Sequence, residues 1–243
     1  MSVKKIQFAL FLVIWLISIV TIIPKVAHAQ AIIVPEVKPY GFGGADTPQF
    51  QLNHEIFDTT SVPFEIHVDQ DNPKSYGNWL GLNVPYEPAK DIWKQIEAQT
   101  QTTLQNRQEA HITVITPPEF VGILQPAGIT MAKINEVAKQ MRIQESKYDI
   151  YCLGRKRKLK AGEMYVVYSI IVKSQDLIDI RRAIFELYTR RGGEPSQFNP
   201  DSFSPHITVA YTKSDLFEGD GIFKSTNSCW GIIELRSYTP VEN

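Results

Sequence analysis

The chain has 243 residues, 25 basic and 26 acidic side chains, a net charge of −1 and 43% hydrophobic residues. That apolar share supports a packed core, and the charge balance is unlike the strongly basic surface that grips long duplexes by their phosphates. Without the first 29 residues, which hold Lys4, Lys5 and Lys25 and no acid, 22 basic residues face 26 acidic ones, a net −4 that suits a small anion or the end of a flexible strand rather than duplex DNA.

Those first 29 residues read as a signal peptide. Lys4 and Lys5 open it, Ile6 to Ile23 is almost wholly apolar, and Ala27-His28-Ala29 forms a small-residue cleavage site. The chain is therefore expected to be exported, periplasmic or secreted, with nothing after cleavage apolar enough for stable membrane insertion. The apolar stretch is long for a signal peptide, so an uncleaved anchor is the other reading. Residues 30–75, rich in Pro and Gly, are predicted to be an extended arm. Gly41-Phe42-Gly43-Gly44 lacks the Lys-Ser/Thr of a phosphate loop and reads as a plain loop. Phe64-Glu-Ile-His-Val-Asp alternates, which predicts an edge strand. His67 near Asp69 and Asp71 reads as a solvated strand end, because no second His or Cys cluster supplies further metal ligands.

Residues 76–243 form the predicted domain. Trp79 to Val84 reads as a strand, and Ile92, Trp93, Ile96 and Leu104 give helical spacing to Ala89–Leu104. A second helix is predicted over Thr130–Met141 and strands over Tyr148–Leu153 and Met164–Val172. A third helix runs from Ser174, a good N-cap, to Arg190, where Gly192-Gly193 stops it. Cys229–Ser237 reads as the last strand. Helices between runs of strands predict an α+β domain with helices packed outside antiparallel sheets.

Two strands of this pattern carry the same four residues 95 positions apart, His111-Ile-Thr-Val and His206-Ile-Thr-Val. Alternation turns Ile112, Val114, Ile207 and Val209 to one face and His111, Thr113, His206 and Thr208 to the other. Each strand thus buries its aliphatic face and presents an imidazole and a hydroxyl. Paired His-x-Thr-hydrophobic motifs at this separation resemble the two-histidine (2H) phosphoesterases. The lead-in Trp79-Leu-Gly-Leu-Asn-Val-Pro followed by a helix is most similar to the Swiss-Army-knife group, over about Trp79 to Tyr238. The resemblance implies a bilobed, pseudo-duplicated fold with both motifs in one cleft. It also implies metal-independent, cofactor-free hydrolysis of a cyclic phosphate, such as a 2′,3′-cyclic nucleotide or RNA end; separately, the chain is expected to act as a monomer. His111 and His206 would be general acid and base in an order the sequence leaves open, with Thr113 and Thr208 donating to the phosphate oxygens. The alternatives are a module that binds a nucleotide or phosphate without turnover, and a structural protein of the envelope.

Three further features stay open. Arg155-Lys-Arg-Lys-Leu-Lys160 is either a solvated hairpin tip or a positive field over the cleft, in which case Arg155 and Arg157 would meet substrate. Tyr211 lies close behind the second motif and could stack on a base, although alternation turns it toward the face of Ile207 and Val209; Tyr76, Trp79 and Tyr168 are the other aromatic candidates. Cys152 and Cys229 are either a disulfide or two buried thiols.

Overall fold

A computed structural model describes residues 42–236, so the expected signal peptide and the beginning of the arm lie outside the described residues. The strands are β1 Gln49–Asn53, β2 Leu80–Asn83, β3 His111–Ile115, β4 Asp149–Lys160, β5 Glu163–Lys173, β6 His206–Tyr211 and β7 Cys229–Arg236. Three long helices, α1 Tyr86–Thr100, α2 Met131–Gln140 and α3 Gln175–Arg190, punctuate them. Thr130 and Ser174 cap α2 and α3 by accepting the N–H of Lys133 and Leu177. The helix predicted from Ala89 starts earlier, at Tyr86, because Pro88 sits in the first turn, where its missing N–H costs nothing. It also ends earlier: Gln101 turns left-handed, and Leu104 beyond it gives its N–H to Glu97 at 2.8 Å.

The class is α+β, as expected. Among the described residues the strands form a seven-stranded sheet in the order β1-β7-β4-β5-β6-β3-β2. Every pair is antiparallel except β1 with β7 at the edge. β1 also corrects the extended arm. Within the Pro- and Gly-rich stretch, Phe50 and Leu52 alternate with polar residues, and both are buried in the core as the strand pairs with β7. The edge strand predicted at Phe64 reduces to one bridge, His67 to Trp79.

One continuous core unites the helices with the sheet: Ile92 and Ile96 of α1, Ile134 and Ala138 of α2 and Ile180 and Ile184 of α3 join Ile112, Val114, Ile207 and Val209. The aliphatic halves of both motif strands are therefore inside, and their polar halves are left to the opposite face. The two motif strands are direct neighbours, in register at Ile112 and Ile207. Antiparallel register about that pair sets His111 against Thr208 and Thr113 against His206.

The basic run lies within β4 rather than on a loose tip. The hairpin closes on Ala161-Gly162, whose φ values of 48° and 82° fit the two-residue turn that matches strand twist. Cys152 and Cys229 form a disulfide between β4 and β7, which resolves the question left open by the sequence. It closes a separation of 77 residues. Reducing it, or replacing Cys152 with serine, is expected to lower stability by about 2–4 kcal/mol, read from the denaturant midpoint. An unchanged midpoint would show that the cross-link constrains nothing.

Candidate active site

A pocket of about 410 Å³ opens over the polar face of β3 and β6, and His111, Thr113, His206 and Thr208 all line it. Its far wall is the loop after β6, from Asp215 to Lys224; Trp79, Pro117 and Pro118 contribute the near side.

The two histidines sit in different environments. His111 Nδ1 is 2.5 Å from the Glu109 carboxylate. A carboxylate only accepts, so Nδ1 carries the proton and Nε2 is left for a ligand. Burial works against the Glu109 charge, but the hydrogen bond and charge of His111, then Arg107 and His67, outweigh it and hold the carboxyl below its usual range. Trp79 packs on the His111 ring at 4.4 Å and stacks on His67 at 3.5 Å, so a column of three rings fixes the imidazole plane. Gly81 permits this: a Cβ there would lie 2.6 Å from the Trp79 ring.

His206 Nδ1 donates to the Ser204 carbonyl at 2.8 Å. A carbonyl cannot donate, so the neutral ring has a bare Nε2. Burial, then the positive charge of Lys224, push its pKa down to about 3 against a usual 6.5. The fold thus keeps His206 neutral, whereas the unfolded chain protonates it at the ordinary value. Between those two pH values the unfolded state binds the extra proton, so stability is full above the upper value and falls as the pH drops through the window. The unfolding midpoint is expected to fall between pH 7 and pH 4 by a smaller amount in His206→Gln than in wild type. Equal falls in both proteins would show that His206 is not the group responsible.

Residues that motif reading missed complete the site. Asp215 is buried and accepts from Lys224 Nζ at 2.7 Å on one oxygen and from Arg107 at 2.8 Å on the other. Lys224 Nζ also donates to Thr208 Oγ1 at 3.1 Å. Burial opposes ionisation of Asp215, but Lys224 and then Arg107 outweigh it and keep the carboxyl below its usual range. Burial likewise lowers the Lys224 pKa, partly offset by Asp215. No periodicity or motif in the sequence points to these residues: Arg107 precedes the first motif, and Asp215 and Lys224 lie in the loop after the second.

Other expectations are redirected. Arg155 and Arg157 do not line the pocket. They share one face of β4, where Arg155 lies over the Trp230 ring at 4.3 Å. The opposite parity of the same run reaches the site's wall: Lys160 pairs with Asp220 at 2.6 Å, and Lys158 donates to the Asp220 carbonyl. Tyr211 does not line the pocket either. Its backbone bridges Gln105 and its hydroxyl is directed to the Asn106 carbonyl, which spends it on holding the chain after α1. Tyr168 is buried against Trp230, whereas Tyr76 and Trp79 do line the pocket. Among the described residues no group of three or more His, Cys, Asp or Glu is arranged to hold a metal ion, and no helix is long and apolar enough to cross a membrane.

No curated protein and no solved structure matches the chain. Residues 78–217, more than half of its length, match the family described as Swiss Army Knife, 2H phosphoesterase domain. The span takes in both motifs and the whole of the strand–helix lead-in, and the chain belongs to that family of phosphoesterases.

Proposed function

We propose that the protein is an exported phosphodiesterase that hydrolyses a cyclic phosphate, of the 2′,3′-cyclic nucleotide or RNA-end type, using His206 as general base and His111 as general acid. The observation that carries this reading is the pair of imidazoles from neighbouring strands in one pocket, with different Nδ1 partners: a carbonyl for His206 and a carboxylate for His111. Bare Nε2 of His206 takes a proton from water, and the water oxygen bonds to phosphorus. The bond from phosphorus to the departing ring oxygen breaks with its electron pair on that oxygen, which collects the Nε2 proton of His111. Glu109 supplies the counter-charge an imidazolium acid needs, and the Thr113 and Thr208 hydroxyls face the non-bridging oxygens. Export is supported by the signal-like residues 1–29 and by the Cys152–Cys229 disulfide, a bond that persists in oxidising compartments.

The test is a screen of protein purified without residues 1–29 against 2′,3′-cyclic nucleotides, RNA ending in a cyclic phosphate, and ADP-ribose cyclic phosphate. Turnover of at least one, undiminished in excess chelator, is expected. Nucleotide affinity with no product after long incubation would favour the binding-module alternative, and chelator-sensitive turnover would count against the two-imidazole scheme.

A further inference from the structure

We propose that Lys224 is the cation that meets the substrate phosphate, and that Arg107, Asp215 and Lys224 together set the pocket's charge for a singly charged phosphodiester. This deepens the phosphodiesterase reading and rests on it. Lys224 lies beyond the matched family span, which ends at residue 217, so nothing in the family match points to it.

The geometry is that of a charge held ready. The Lys224 side chain is 5% exposed and nevertheless lines the pocket. Taking an ammonium out of water is costly, and an ion pair serving only to anchor the loop would gain nothing from sitting where ligand arrives. Two of its three protons are spent, on Asp215 Oδ1 at 2.7 Å and on Thr208 Oγ1 at 3.1 Å, which leaves one for a ligand. Its bond to Thr208 also occupies a lone pair of that hydroxyl, so the hydroxyl proton is turned away from the lysine, toward Asp215 Oδ2 at a long 3.5 Å.

The charge count gives the substrate class. Asp215 carries one negative charge and takes one cation on each oxygen, Lys224 on Oδ1 and Arg107 on Oδ2. The triplet therefore has a surplus of one positive charge, which matches the single charge of a phosphodiester. Of the two other carboxylates lining the pocket, Asp220 is paired with Lys158 and Lys160, and burial and then Glu119 raise the pKa of Glu218, which weakens its opposing charge. Asp215 holds the lysine beside Thr208 and cancels the second positive charge.

Two substitutions separate this role from simple support of the loop, because they should act in opposite directions. Binding of dimethyl phosphate, a singly charged diester, would be measured by calorimetry on protein purified without residues 1–29, alongside kcat/KM on 2′,3′-cyclic AMP. Lys224→Met should weaken dimethyl phosphate binding by about tenfold or more and lower kcat/KM at least as much, with Lys224→Arg recovering most of the binding. Asp215→Asn removes the cancelling charge but also the partner that helps keep Lys224 protonated, so at a pH low enough to keep the lysine charged it should bind the diester more tightly than wild type. Thermal melting of each variant establishes that it is folded; the double variant Lys224→Met/Asp215→Asn, which leaves no unpaired carboxylate, takes the place of a single variant that is not, and should bind more weakly than Asp215→Asn. Equal losses in Lys224→Met and Asp215→Asn, or unchanged binding in Lys224→Met, would overturn the assignment while leaving wild-type turnover intact. A wild-type protein that neither binds nor turns over any of these compounds would instead overturn the phosphodiesterase reading, and this proposal with it.

Discussion

His206→Ala and His111→Ala are each expected to cut kcat by about 10²–10⁴-fold while leaving the fold intact, and the two losses should respond differently to the leaving group. His206 has Nδ1 committed to the Ser204 carbonyl, which leaves its Nε2 bare to accept a proton. His111 has Nδ1 committed to Glu109 and offers a proton from its other nitrogen. A nitrophenyl phosphodiester expels an anion that needs no proton. On that substrate His111→Ala should recover most of its activity, and His206→Ala should recover none. Recovery in the opposite variant would reverse the roles, and equal recovery in both would show that neither ring transfers a proton in the limiting step.

Arg181→Met should be the most destabilising single change on the helices, at about 3–5 kcal/mol, read from the denaturant midpoint. Arg181 is 1% exposed in the middle of α3 and ties the two motif strands together. Its guanidinium donates to the Val114 carbonyl at 2.6 Å on β3, to the Pro200 carbonyl at 2.9 Å on the segment leading into β6, and to Glu119 at 2.8 Å. The Phe198 and Phe203 rings lie 5.0 and 4.9 Å from it. Glu119 in turn closes the capping box with Thr116 directly after the first motif. Methionine would match the volume but strand two carbonyls and a carboxylate, and lysine, with a single point charge, could not span the three directions. A loss below about 1 kcal/mol, the scale of an exposed ion pair, would contradict this picture.

The histidines and threonines were legible in the sequence because strand alternation is local: four identical residues with aliphatic partners state which face is buried and which is offered. Their meeting in one pocket was legible only through family resemblance, since alternation is silent on which strands become neighbours. Loop residues had no periodic signal at all. Lys224, Asp215 and Arg107 come together through the return of the chain after β6, and the pairing of Glu109 with His111 depends on a side chain two residues away folding back. The basic run shows a subtler failure. Its charge was correctly noticed, but the parity of β4 sends Arg155 and Arg157 away from the pocket while Lys158 and Lys160 reach Asp220 on its wall. Phe50 and Leu52 were hidden for the opposite reason, a short alternation set among Pro and Gly residues that read as arm.

The most direct measurement follows 2′,3′-cyclic AMP by ³¹P NMR with protein purified without residues 1–29. The cyclic phosphate resonance should give way to that of an open monoester with wild type and persist with His206→Ala. A resonance that persists with wild type, or that disappears equally fast with His206→Ala, would contradict the claim that two imidazoles work on one phosphate in this pocket.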